Sequence, residues 1–344
     1  MPRIRNYAQW ALILSLALGL SACATSGGEL ADEPTDAATT DAATDAAATD
    51  DATTEGTGDT TEPADDATTG AAGGTVTVAS KDFTEQIIVA EMYAQALEDA
   101  GFTVERNLNL GSSEVLVPAL ENGEVDLYPE YIGTGLEFLN GGAGEATADV
   151  DETLELFRAQ FEDAGVTVLE PAEASDANVF TVTQETAEEY DLATVSDLQP
   201  VAGELTLGGP PECPERPLCQ LGLVEVYDVD FGEFRPLDAG GPLTVAALDS
   251  GEVDVALMFT TLGIFADRDY VQLEDDMGLQ PAENIAPVVR TEALTPEIEE
   301  TLNAVSAELT TEDLIELNKR VDIDNEDPEA VAEEYLTEKG LLGG

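Results

Sequence analysis

From residue 75 onward the apolar positions repeatedly change period. Val76 and Val78 alternate with threonines in residues 75–80, the period-two signature of a strand. Ile87, Ile88, Met92, Ala96 and Leu97 then recur at helical spacing, and Gly101 stops the helix. Asp82 is placed to cap this helix, with Glu85 three residues on as its capping-box partner. Residues 103–108 and 125–128 read as two further strands. Leu154, Phe157, Phe161 and Ala164 mark another helix, closed by Gly165 and followed by a strand over 166–169. Helices return at the C-terminal end. Thr295-Pro296 opens one, Thr310-Thr-Glu-Asp313 a second and Asp327-Pro328 a third that stops near Gly340. Strands alternating with helices predict α/β layers, with the last helices packed back on the first part of the body.

One unit recurs. Ala119-Leu-Glu-Asn-Gly-Glu-Val-Asp126 returns 128 residues later as Ala247-Leu-Asp-Ser-Gly-Glu-Val-Asp254. A small-residue turn precedes each copy, Gly111-Ser112-Ser113 in one and Gly240-Gly241 in the other, and an apolar or aromatic strand follows. So wide a spacing predicts two lobes of related topology, since solenoid periods are shorter. The other reading is a chance match of common helix-stop grammar.

The first 73 residues lack such patterning. Arg3 and Arg5 precede an apolar stretch over 10–20 that is short for a membrane span and reads as a signal-peptide core. Leu20-Ser-Ala-Cys23 resembles a bacterial lipobox, in which the cysteine carries lipid and becomes the mature N-terminus. The plainer reading is an ordinary signal peptide. Residues 24–74 consist mostly of Ala, Thr, Asp, Glu and Gly, with Leu30 their one large aliphatic side chain. Such a segment buries too little apolar area to offset ordering entropy, so a disordered acidic linker is expected. The mature protein is then a soluble body held by lipid at the extracytoplasmic face of a membrane.

Charge narrows the partners. The net charge is -61, from 73 acidic and 12 basic residues, with no histidine. Beyond residue 74 there remain 60 acidic and 10 basic residues, so the body is acidic in its own right. That field repels nucleic acid and anionic lipid. It fits adaptation to high salt, where repulsion is screened, or a plain acidic surface. Cys213 and Cys219 stand in a Pro-rich loop and are expected to form a disulfide outside the cell. Two thiolates without histidine do not complete a metal site in that loop, and no metal or cofactor is expected elsewhere.

Four segments carry a family resemblance: Ser80-Lys-Asp-Phe-Thr-Glu-Gln86, Leu110-Gly-Ser-Ser113, Gly123-Glu-Val-Asp-Leu-Tyr-Pro-Glu-Tyr-Ile-Gly-Thr134 and Leu317-Asn-Lys-Arg-Val-Asp322. They resemble the substrate-binding proteins of glycine betaine, carnitine and choline ABC transporters, over residues 75–342. The resemblance implies a type II periplasmic-binding-protein fold, with two α/β lobes, two hinge strands and a ligand cleft between them. Residues 75–176 and 288–344 would form lobe one and 177–287 lobe two, with crossings near 177–183 and 284–289. It also implies a monomer that binds a quaternary ammonium solute and delivers it to ABC permease subunits, in osmoprotection.

A trimethylammonium group donates no hydrogen bond and is best held by aromatic faces. Phe83, Tyr128, Tyr131, Phe180 and Phe259 are the candidate cage walls, although a strand aromatic is also a natural core residue. Thr84, Ser112, Ser113, Thr134, Gly241 and Thr260 are candidate polar contacts. Lys81 either reaches a ligand carboxylate or pairs with a neighbouring acid. Among rival functions, an enzyme lacks support: there is no histidine, no free thiol is expected, and no Gly-rich phosphate loop or Gly-x-Ser-x-Gly elbow is present. No Asp-x-Asp-x-Asp-Gly loop supports a calcium-dependent module. A binder of another cationic or zwitterionic metabolite, or a sensor, remains the alternative.

Overall fold

The computed structural model describes residues 74–161 and 164–343; the leader, Cys23 and linker residues 24–73 lie outside these. The chain runs β1 (Thr75–Ala79), α1 (Thr84–Asp99), β2 (Thr103–Asn107), α2 (Ser113–Glu121), β3 (Leu127–Tyr131), α3 (Ile132–Leu139), α4 (Val150–Gln160) and β4 (Val166–Val168). It continues through β5 (Asn178–Thr183), α5 (Gln184–Tyr190), β6 (Thr206–Gly209), α6 (Gln220–Tyr227), β7 (Glu233–Pro236), α7 (Pro242–Asp249), β8 (Val255–Phe259) and β9 (Tyr270–Gln272). It returns by β10 (Ile285–Arg290) to α8 (Pro296–Glu308), α9 (Thr311–Asp322) and α10 (Pro328–Glu338). None of the helices among the described residues is long and apolar enough to cross a membrane.

Two five-stranded sheets result, ordered β2-β1-β3-β10-β4 and β7-β6-β8-β5-β9. β1 is parallel to β2 and β3, as β6 is to β7 and β8. β10 lies antiparallel between β3 and β4, as β5 does between β8 and β9. Each sheet thus centres a lobe of the same α/β topology. The crossing segments meet in one antiparallel bridge, Ser175 with Asn284, just before β5 and β10 part into separate sheets.

The repeated octapeptide has a physical reason. In both copies a glycine in the left-handed region, Gly123 at φ +74° and Gly251 at φ +67°, turns the chain out of its helix. The closing aspartate then clamps the neighbouring strand. Asp126 N–H donates to the Thr77 carbonyl, and Asp126 Oδ2 accepts from Thr77 N–H at 2.9 Å. Asp254 N–H donates to the Thr206 carbonyl, and Asp254 Oδ2 accepts from Thr206 N–H at 2.8 Å. One carboxylate in each lobe therefore sets the register of β3 on β1 or of β8 on β6. In lobe one Arg290 also pairs with Asp126.

Helices cover both faces of the first sheet. Residues on alternate strand positions divide accordingly: Leu127, Tyr131, Ile285 and Val289 pack with α1 and with α8 to α10, whereas Tyr128, Ala286 and Val288 pack with α2 to α4. The C-terminal helices begin as the sequence indicates. Thr295, Thr310 and Asp327 cap α8, α9 and α10, with a full capping box at Thr310 and Asp313. Two local expectations change. Phe83, not Asp82, is the N-cap of α1, and no side chain caps it, because Glu85 is turned inward. The strand expected over 125–128 begins at Leu127 and runs to Tyr131, since Asp126 is occupied in clamping β1. Cys213 and Cys219 are joined in a disulfide, Cα to Cα 5.2 Å.

Asp254→Ala removes an acceptor from Thr206 and should lower the unfolding free energy by about 1–3 kcal/mol. Asp126→Ala also strands Arg290 and should cost more. Denaturant titration of both variants checks this order; a neutral Asp254→Ala would reduce the repeat to coincidence.

Candidate ligand-binding site

β3 and β8 end at Tyr131 and Phe259, which differ by the same 128 residues as the repeat. The two aromatics are therefore equivalent positions at the carboxyl ends of matching strands, where ligands of α/β folds bind. A cavity of about 530 Å³ opens there. Lobe one lines it with Lys81, Phe83, Thr84, Glu85, Tyr131, Thr134, Asn318 and Asp322. The crossing segment contributes Asp176, and lobe two contributes Ala239, Phe259, Thr261 and Leu262. The lobes touch along α9. The Asn318 amide donates both to Glu85 Oε2 and to the Thr261 carbonyl of lobe two, each at 2.9 Å. Gly263 lies so near α9 that a Cβ there would fall 2.4 Å from Lys319 N.

Aromatic surface and acids share the wall. The Phe83 and Tyr131 rings are 6.3 Å apart and within 10° of parallel, and Phe83 is 41 % exposed. The Tyr131 hydroxyl donates to Glu85 Oε1 at 2.6 Å. Lys81 is the one basic side chain among the described residues of the wall, and it is already paired. Its Nζ donates to the fully buried Glu130, which also accepts from Ser113 Oγ at 3.0 Å and Tyr131 N–H at 2.8 Å. The same ammonium stands 5.2 Å from the Tyr131 ring centroid.

Other donors of the wall are likewise held by the protein's own acids. Thr134 donates through N–H and Oγ1 to Glu283 at 2.9 and 3.0 Å, and Thr84 Oγ1 donates to Asp322 at 2.6 Å. Outside this wall, at the start of α7 beside an adjoining cavity, the N–H groups of Leu243 and Thr244 are taken by the Asp238 carboxylate at 3.1 and 2.9 Å. Burial raises Glu85 above the usual carboxylate range, against its hydrogen bonds. Burial, with the nearby Glu85 charge, pushes Asp176 up to about 8, which Thr261 only partly opposes. Burial pushes Glu283 up to about 7 despite Thr134.

Of the residues singled out from sequence, Lys81, Phe83, Thr84, Tyr131, Thr134 and Phe259 meet in this wall. The others stand elsewhere. Tyr128 is three residues from Tyr131 on one strand, which puts the two on opposite faces, and it lies wholly in the core. Ser113 supports Glu130 from beneath, and Ser112 faces solvent and bonds Glu114. Phe180 is buried in the lobe-two core. Gly241 lines an adjoining cavity instead. Thr260 fastens lobe two to the crossing, accepting from Ala177 N–H at 3.0 Å and donating to the Ser175 carbonyl at 2.9 Å. Sequence reasoning missed Glu85, Asp176, Thr261, Asn318 and Asp322 as wall residues. Asn318 and Asp322 carried a signal: they sit four apart, on one helix face, within a segment of family resemblance.

Two lobes of matching topology with a lined cleft between them are the architecture of a two-lobed solute-binding protein. Residues 74–338 match the family model described as the substrate binding domain of ABC-type glycine betaine transport systems. The chain is 31 % identical over 282 residues to a carnitine transport binding protein of Listeria monocytogenes, covering 80 % of this chain and 90 % of that one. It is 30 % identical over 280 residues to a glycine betaine-binding protein of Escherichia coli K12, covering 78 % and 92 %. The crystal structure of a glycine betaine/carnitine/choline ABC transporter protein superposes with a TM-score of 0.70 at 30 % identity, over 77 % of this chain and 99 % of that one. The chain belongs to this family of ABC-transporter substrate-binding proteins.

The raised carboxyls give stability a direction with pH. Asp176 and Glu283 keep their protons in the native state to higher pH than in the unfolded chain, which releases them near pH 4, and burial moves Glu85 in the same direction. Stability should therefore fall as pH rises from 6 to 9, a window in which ordinary surface carboxylates stay ionised. Asp176→Asn should flatten this fall by on the order of 2 kcal/mol. Melting temperatures of both proteins across the window check it; parallel curves would remove Asp176 as the cause.

Proposed function

We propose that the protein captures a quaternary ammonium solute outside the cell and delivers it to the permease subunits of an ABC importer. The cleft carries this reading. Phe83, Tyr131 and Phe259 offer ring faces to a cation that cannot donate hydrogen bonds. The carboxyl groups of Glu85, Asp176 and Asp322 line the same wall, where a bound cation would favour their ionised forms, and Glu130 already neutralises Lys81. The relatives named for glycine betaine and carnitine support the same ligand class. Capture without chemical change follows from a wall of aromatics and structurally engaged acids.

A lipid on Cys23 would hold this body at the membrane, with residues 24–74 as tether. Life in high salt fits the charge distribution. Each of the 10 basic residues beyond residue 74 has a carboxylate partner within 4.0 Å, so the excess acids have water and counter-ions for company.

Calorimetry with glycine betaine, choline and carnitine tests the ligand class. Phe83→Ala should cost on the order of 1–2 kcal/mol of binding. Because the ring is substantially exposed, its loss should leave the melting temperature nearly unchanged. Binding of none of these solutes would end the reading. Cys23→Ala should release the protein from membranes into the soluble fraction; unchanged membrane fractionation would argue against the anchor.

A further inference from the structure

β1 and β6 hold the same place in the two sheets, each between two parallel neighbours. Each hands on, at its carboxyl end, to a segment that ends at the N-cap of the next helix. In lobe one this segment is residues 80–83, and it supplies Lys81 and Phe83 to the cleft wall. In lobe two it is residues 210–219, the longer loop closed by the disulfide of Cys213 and Cys219. That loop is pinned at several points. Both cysteines are buried in the lobe-two core. The Pro217 carbonyl lies so close to α6 that a Cβ at Gly222 would fall 1.9 Å from it, and the Leu218 carbonyl accepts from Gln280 Nε2 at 3.1 Å. Yet the Leu218 side chain stays outside the core, 38 % exposed.

A lone exposed leucine is ordinary on a surface, but this one lines two cavities. One, of about 370 Å³, lies under the loop; Pro210, Pro217, Leu218, Leu257, Phe259 and the disulfide form most of its wall. Its charged residues, Glu212 and Arg216, are paired with each other at 3.2 Å and reach into solvent. The other, of about 180 Å³, sets Leu218 and Phe259 against Thr134 and Asp176. Phe259 lines both of these and the main cavity, so the three meet around its ring. We propose that the space under the disulfide loop is a subsite for an uncharged, apolar arm of the ligand, with Leu218 as its specificity-determining residue. This rests on the quaternary ammonium reading above and extends it. With the onium group against the rings, an arm that leaves it past Phe259 enters an apolar space whose charges already satisfy each other. Each methylene buried there is worth about fourfold in affinity.

Titration calorimetry of the full chain with tetramethylammonium and butyltrimethylammonium isolates the arm. The two cations share the onium group and differ by three methylenes, worth about fiftyfold if fully buried. Butyltrimethylammonium should bind at least tenfold more tightly. In Leu218→Ala this preference should shrink to within about threefold while the affinity for tetramethylammonium stays the same, with a melting curve to confirm folding. Leu218→Thr repeats the measurement if the alanine variant fails to fold. A wild-type ratio near one overturns the subsite. So does a ratio that loss of the Leu218 side chain leaves intact, since the arm then lies elsewhere. Either result leaves the quaternary ammonium reading standing. If neither cation binds while glycine betaine or choline does, the subsite alone falls; if no quaternary ammonium binds, both fall.

Discussion

The ion pair between Lys81 and the buried Glu130 governs the chemistry of the cleft. A fully buried carboxylate is stable only with a counter-charge and several hydrogen bonds, and Glu130 draws both from the cleft wall. It thereby removes the one cation that the described wall contains. Glu85, Asp176 and Asp322 are left facing the cavity without a lysine or arginine among themselves. Burial then acts on the acids that remain, raising Glu85 and Asp176, and the cleft becomes a place where an arriving cation relieves an electrostatic burden. The same arrangement weakens the empty protein. Sites shaped for a ligand commonly sacrifice stability in this way.

The second constraint is topological duplication. Each lobe lays a parallel strand trio beside an antiparallel pair, and in each an aspartate after a left-handed glycine locks the central strands together. Because β3 and β8 are built alike, their last residues reach the same place from opposite sides. Tyr131 and Phe259 face one cavity for that reason. Polar fastening at the joint completes the geometry: Thr260 ties lobe two to residues 175–177, and Asn318 ties Glu85 of lobe one to Thr261 of lobe two. The disulfide loop belongs to the same frame. Gln280 bonds the Leu218 carbonyl at 3.1 Å and Asn178 at 3.1 Å, joining the loop to the second crossing and to β5.

Much of this was legible in the sequence, and the failures have physical causes. Alternation in residues 75–80, the capping signals at Thr295, Thr310 and Asp327, and the 128-residue echo lead directly to strands, helices and two matched lobes. Tyr128 misled because aromatic content was counted without strand parity: a separation of three on a strand puts side chains on opposite faces. Glu85 misled because its spacing from Asp82 imitates a capping box, whereas burial against Tyr131 and Asn318 gives its carboxylate a different set of partners. Asp176 was invisible. It is one of 73 acids, and only the path of the chain between the lobes distinguishes it. Residues made important by where the backbone crosses leave no local signature.

The body's charge and the cleft's charge do different work. A net excess of carboxylates draws cations of every kind, but its reach is the Debye length, about 10 Å at 0.1 M salt and about 3 Å at 1 M. In concentrated salt the surface field therefore neither steers a solute over distance nor distinguishes one cation from the abundant inorganic ones. Carboxylates withdrawn from water are screened far less, since counter-ions cannot share their volume. A cation bound beside Glu85 and Asp176 draws their carboxyls toward the ionised form, an interaction that salt weakens little, and the rings beside them favour a large, weakly hydrated cation over a small hydrated one. Recognition must then reside in the wall of the cleft, while the acidic surface keeps the protein hydrated and apart from its neighbours. The acidic surface and the aromatic, carboxyl-lined cleft thus divide two tasks by depth.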